Sequence, residues 1–114
     1  MTDCVFCKIA AGEIPASVVY EDDKVIAFDD LEPQMPVHTL IIPKQHFANI
    51  GDGLPDDLMG HLFNTVKKVA KIKGINKTGY RVIVNTGDDA QQSVHHIHVH
   101  VLGGAPMNSG SPAL

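Results

Sequence analysis

The sequence predicts an α+β fold: a five-stranded antiparallel sheet carrying one long and one short helix. Three observations predict it. Residues 55–73 place apolar side chains at helical spacing over a length that strands seldom reach. Five stretches, 17–21, 24–29, 37–43, 78–86 and 94–102, are short, rich in β-branched residues and bounded by turn formers. The chain has 114 residues, enough for one domain and too few for two, and its 44% apolar content suits a globular core.

The elements follow in order. Residues 4–11 are a short apolar stretch of one or two helical turns, bracketed by Gly12 and Pro15. Residues 17–21 and 24–29 alternate apolar and polar and read as a tight hairpin, with the acidic run from Glu21 to Asp23 as its solvated turn. Pro33 and Pro36 stiffen a loop before the strand 37–43, which Pro43 and Lys44 stop. In 55–73, Leu58, Leu62, Val66 and Ala70 recur every fourth position. Asp56 and Asp57 suit the positive end of that helix, the lysines from Lys67 to Lys73 suit its negative end, and Gly74 is a stop. Residues 78–86 form the fourth strand. A polar loop from Gly87 to Gln92 leads to the fifth, 94–102, which Gly103 and Gly104 close. The domain spans 1–104, and 105–114 is a tail of small residues and proline.

Charge narrows the partners. The net charge is −4 and no basic run occurs, which argues against nucleic acid or an anionic membrane surface. No stretch approaches the roughly 20 apolar residues of a membrane span. Asp3, Lys8 and Glu13 spoil a secretory leader, so the cytoplasm is the expected location.

The last strand holds the most chemistry. His95, His96, His98 and His100 are four of the chain's seven histidines. In a strand His96, His98 and His100 share one face, about 6.5 Å apart, and Ile97, Val99 and Val101 share the other. Such a row can be a solvated face, a metal site or a nucleophilic centre. As a nucleophilic centre, its middle member, His98, is the best placed to attack, with a neighbour on each side. Cys4 and Cys7 form a Cys-x-x-Cys pair with three readings: buried thiols, a redox pair, or half of a tetrahedral zinc site. Asp30 ends the second strand beside Phe28. It is either a turn cap or a carboxylate able to clasp a ribose.

These residues also carry a resemblance. The run His96-Ile97-His98-Val99-His100-Val101-Leu102, after Gln92-Ser93-Val94 and before Gly103-Gly104, resembles the signature of the histidine triad (HIT) family. Asp30-Leu31-Glu32-Pro33-Gln34 and His38-Thr39-Leu40-Ile41-Ile42-Pro43-Lys44 resemble its other hallmark, and the likeness covers roughly residues 4–104. It looks like the Hint branch of small dimeric nucleoside phosphoramidases. The resemblance implies a HIT-like fold whose copies pair through the long helix and fourth strand into a two-fold dimer with a ten-stranded sheet. It implies hydrolysis of purine nucleoside phosphoramidates through a nucleotidyl-His98 intermediate. His100, His96, His38 and Ser93 complete the implied catalytic set, and His38 supports the nucleophile. The implied nucleotide contacts are Val5, Phe6, Phe28, Asp30, Leu31, Asn85, Gln92, Ser93, His98 and His100. Members carrying the cysteine pair imply a structural zinc on Cys4, Cys7, His46 and His96, not needed for the chemistry; His96 would then leave catalysis to His98 and His100. The alternatives are a dinucleoside polyphosphate hydrolase or nucleotidyl transferase of the wider family, or a zinc-stabilised nucleotide-binding scaffold.

Two positions depart from the family pattern. Gln91 stands where glycine is common, so the loop beside the phosphate is expected to differ. Ala105 stands where arginine is common, and the short tail has no tryptophan, which puts the leaving-group preference in doubt.

Overall fold

A computed structural model describes residues 4–107. The elements are α1 (Val5–Ala10), β1 (Val18–Glu21), β2 (Val25–Asp29), β3 (Val37–Pro43), α2 (Asp56–Ile72), β4 (Tyr80–Ile83) and β5 (Val99–Gly103). The strands form one antiparallel sheet in the order β1-β2-β3-β5-β4. This is the α+β architecture that the alternating patterns imply. The expected pairing of two copies lies beyond a single chain.

The two-residue period of the strands sorts their side chains onto two faces. Val25, Ala27, Ile41, Val99 and Val101 face α2, which buries Leu58, Leu62, Val66, Val69 and Ala70 against them. Ile26, Phe28, Leu40 and Ile42 face the other way and meet Phe6 of α1. The sheet is therefore covered by α2 on one side and partly by α1 on the other. His38 and His100 alternate with the α2-facing residues, so they emerge on the α1 side. Gly74, at φ +75°, takes the left-handed turn that ends α2. Phe63, Ile72, Tyr80 and Val82, on α2 and edge strand β4, stay 37–55% exposed.

Three expectations need correction. The fifth strand begins at Val99, not at Val94. Register would pair residue 97 with Pro43, which has no N–H to give, and the Pro43 carbonyl is taken by the His96 ring. The Ile97 N–H turns instead to the Phe47 carbonyl. The fourth strand shrinks to Tyr80–Ile83 because β5, its only neighbour, leaves the ladder at Val99. The acidic turn is not simply solvated. Asp22 accepts from the Lys24 and Val25 N–H groups, from the Tyr20 hydroxyl and from His61 on α2, each at 2.8–2.9 Å. Burial pushes its carboxyl up, but these hydrogen bonds outweigh it and hold the group well below the usual carboxylate range.

The loop before β5 turns sharply at Gln91. Gln91 is at φ 60°, the one non-glycine residue in the left-handed region among the described residues. A side chain there costs roughly 1–2 kcal/mol, a penalty that glycine would not carry. The neighbouring Gln92 offsets the strain. Its buried amide accepts from the Gly87 N–H at 2.9 Å and donates to the Ala48 and Val94 carbonyls at 2.7 and 2.9 Å.

Candidate active site

Main-chain partners fix the ring orientation of the histidines. Residues 94–98 lie outside the ladder, so their carbonyls are free for side chains. His98 donates from Nδ1 to the His96 carbonyl at 2.8 Å, which leaves its Nε2 unprotonated. His96 donates from Nε2 to the Pro43 carbonyl at 2.8 Å, which leaves its Nδ1 unprotonated. His38 accepts at Nδ1 from the Gln34 N–H at 3.1 Å, so its Nε2 carries the proton. That proton faces His100 Nδ1 at 2.9 Å, with Asp30 Oδ2 at 3.5 Å. His100 therefore keeps its own proton on Nε2. This atom is buried and has no protein partner. Two adjacent rings, 4.9 Å apart, thus offer opposite capacities: a lone pair on His98 and a proton on His100.

Both rings border an apolar cavity of about 270 Å³. Val5, Phe6 and Ile9 of α1 form one wall, Phe28 and Leu40 of the sheet another, and Asp30, Leu31 and Ser93 the rim. A second, more polar cavity of about 440 Å³ adjoins it, with Glu32, Gln34 and His38 in its lining. Asp30, Leu31, Ser93 and His100 border both cavities. Leu31 is 94% exposed, at the mouth and not in the wall. Asp30 accepts from the Glu32 N–H at 2.9 Å, so it caps its turn; a carboxylate has lone pairs left for further donors.

Most of the expected residues meet here, and some do not. Gln92 spends its amide on the loop, which gives it a bracing role in place of a nucleotide contact. Asn85 lies past the end of β4 and lines neither cavity. His38 serves His100 and not the nucleophile candidate His98. His95 is exposed. His96 borders neither cavity, which removes it from the catalytic row. Ile9 and Leu40 join the lining without any motif to mark them; Ile9 follows Val5 by one helical turn, a spacing that places it on the same wall.

His96 belongs to a second cluster. Its Nδ1 is 3.4 Å from Cys4 Sγ and 3.5 Å from Cys7 Sγ, and His46 Nδ1 is 3.2 Å from Cys7 Sγ. The four ligand atoms all lie within 4.8 Å of one another. Tetrahedral zinc with ordinary bond lengths separates sulfur and nitrogen ligands by about 3.6 Å, so the cluster fits. The Pro43 carbonyl holds His96 in the tautomer a metal needs. Burial, with Cys4 alongside, pushes the Cys7 thiol up, a situation a bound cation would reverse.

Burial also decides the protonation of the rings. It lowers His100 to about 3, helped by His98 and His38, and His96 to about 4 against the pull of the Pro43 carbonyl. Burial lowers His98 and His38 as well. All four rings are therefore neutral at pH 7. In the unfolded chain they titrate near 6.5. Folded values below unfolded ones mean that this stability is complete above pH 6.5 and is lost as pH falls, for His100 and His96 toward 3–4. Unfolding free energies from urea titrations should thus be flat from pH 7 to 8 and fall between pH 6.5 and 5, by about 2 kcal/mol for each of His100 and His96, with His98 and His38 acting in the same direction. Equal values at pH 7.5 and 5 would contradict this.

A bare imidazole nitrogen beside a buried ring donor, at the mouth of an apolar pocket on an antiparallel sheet, defines a histidine-centred site suited to nucleophilic chemistry. Comparison with known proteins places that site in a family. The HIT domain model matches residues 11–107. A 14 kDa zinc-binding protein from Brassica juncea is 48% identical over 93% of this chain and 96% of its own length. A HIT family hydrolase from Legionella pneumophila superposes with a TM-score of 0.89 at 48% identity, covering 94% of this chain and 97% of its own. A histidine triad nucleotide-binding protein from Candida albicans superposes with a TM-score of 0.82 at 35% identity, covering 96% and 87%. The chain belongs to the HIT family.

Proposed function

We propose that this protein is a purine nucleoside phosphoramidase that works through a nucleotidyl-His98 intermediate. The observation that carries the reading is the His98 ring, locked at Nδ1 by a main-chain carbonyl with Nε2 left as a lone pair at the pocket. The purine lies between Val5, Phe6, Ile9 and Phe28, and Asp30 receives ribose hydroxyls. His98 Nε2 attacks phosphorus, a P–N(His) bond forms, and the bond to the amine breaks. His100 Nε2–H donates to the phosphoryl oxygens, whose charge rises in the transition state. Ser93, exposed at the junction of the two cavities, relays a proton from solvent water to the departing amine and is itself left unchanged. Water then cleaves the P–N(His) bond and releases the nucleotide.

The hydrolase and nucleotide-binding descriptions of the solved relatives support this reading. The relative described as zinc-binding supports a structural zinc on Cys4, Cys7, His46 and His96, and the chemistry above does not use it. The exposed apolar residues of α2 and β4 support a homodimer. No helix among the described residues is long and apolar enough to cross a membrane.

The test is a substrate panel. The wild-type protein should hydrolyse a fluorogenic adenosine phosphoramidate with kcat/KM well above that for a diadenosine polyphosphate. The reverse order would move the assignment to the polyphosphate hydrolases of the family. Nucleotide binding with no turnover of either would favour a scaffold.

A further inference from the structure

We propose that Cys4 and Cys7 are positioning residues of the nucleotide pocket, and that metal binding at their cluster and nucleotide binding strengthen each other through α1. The inference rests on the pocket being a nucleotide site.

α1 has six residues, too few to be a stable helix alone. Among the described residues, apart from main-chain bonds to its own flanking residues 4 and 11–13, its hydrogen bonds run through the two thiols, to His46 and His96, and Phe6 packs it on the sheet. Thiol bonds of 3.2–3.5 Å are weak tethers. Four bonds to a metal are far stronger, so occupancy decides how firmly α1 sits.

The other flank of the same helix builds the pocket. Val5, Phe6 and Ile9 line it. The Phe6 ring, between the two cysteines in sequence, meets the His98 ring edge-on at 5.1 Å, His96 at 6.0 Å and Phe28 at 5.5 Å. A second route runs through His96. Its ring faces the thiols, while its carbonyl holds the Nδ1 of His98. A loose cluster therefore frees one pocket wall and weakens the anchor of the ring beside it. A nucleotide that packs on Val5 and Phe6 holds α1 down and presents the cysteines to the metal. Linkage requires the two effects to be equal.

The experiment uses the full chain and zinc alone as the metal probe. Titration calorimetry with AMP should give an affinity about tenfold weaker for chelator-stripped than for zinc-loaded protein, within the usual span of coupled sites. Competition against a chromophoric chelator should give a zinc affinity about tenfold tighter with saturating AMP. Phe6→Leu keeps all four ligands and should still bind zinc, with the coupling factor reduced toward one. Cys7→Ser should bind AMP as weakly as stripped wild type, with no response to added zinc. If Cys7→Ser does not fold, stripped wild type and Phe6→Leu carry the test. Equal AMP affinity with and without bound zinc overturns the coupling while leaving the nucleotide site intact. Failure of both forms to bind AMP overturns the nucleotide reading and the proposal with it. Absence of stoichiometric zinc binding overturns the proposal alone.

Discussion

Replacing His98 by alanine should lower turnover of an adenosine phosphoramidate by at least about 10⁴-fold, the scale on which removing a covalent nucleophile acts. The fold should survive. The lost ring borders a cavity that water can enter, so the void is not dry. One hydrogen bond disappears, and its acceptor, the His96 carbonyl, can find water instead, a loss of about 1 kcal/mol. AMP should still bind, since Val5, Phe6, Phe28 and Asp30 are untouched. Steady-state kinetics, AMP titration and thermal unfolding on one preparation check all three. Near-normal turnover would remove His98 from the nucleophile position, and His100 cannot replace it, because its Nε2 carries a proton and its Nδ1 is taken by His38.

His96→Ala should do the reverse: a stability loss of about 3–5 kcal/mol, the scale of deleting a large, fully buried side chain. His96 has 0% exposure and works at three points. Its Nε2 satisfies the Pro43 carbonyl, its Nδ1 faces both thiols, and the position of its carbonyl sets His98. The substitution leaves a buried carbonyl without a donor, opens a cavity and deletes one of four metal ligands. Urea denaturation should show the loss, and metal analysis should show zinc well below one equivalent per chain. A variant as stable as wild type, with full zinc, would mean that the ring is a bystander. The pair separates two adjacent members of one motif, one that reacts and one that supports.

Both roles sit in one sequence run, and only part of the distinction is legible there. Alternation correctly sends Ile97, Val99 and Val101 to the α2 core and the histidines to the opposite side. It cannot say that His96 turns away from the pocket. That outcome depends on Pro43, more than 50 positions away, which lacks an N–H and offers a carbonyl just where the ladder fails. The misplaced start of the fifth strand has the same origin. Strand propensity is local, but the end of a ladder is set by its partner. His61 shows the same limit. On the helix it is one polar residue among many, and only the hairpin brings Asp22 to 2.8 Å.

Element order, the two faces of the sheet, the long helix and its stop, and the cast of histidines, cysteines and Asp30 are all legible in the chain. Those follow from periodicity, from turn chemistry and from side-chain types, all of them local. Which nitrogen of each histidine is bare and which carries a proton emerges only on folding. Folding also decides that His38 serves His100, that Gln92 braces a loop, and that α1 is shared between a metal cluster and a pocket wall. Those depend on hydrogen-bond partners distant in the chain. A ring with two equivalent-looking nitrogens acquires a direction only when a fixed main-chain group claims one of them.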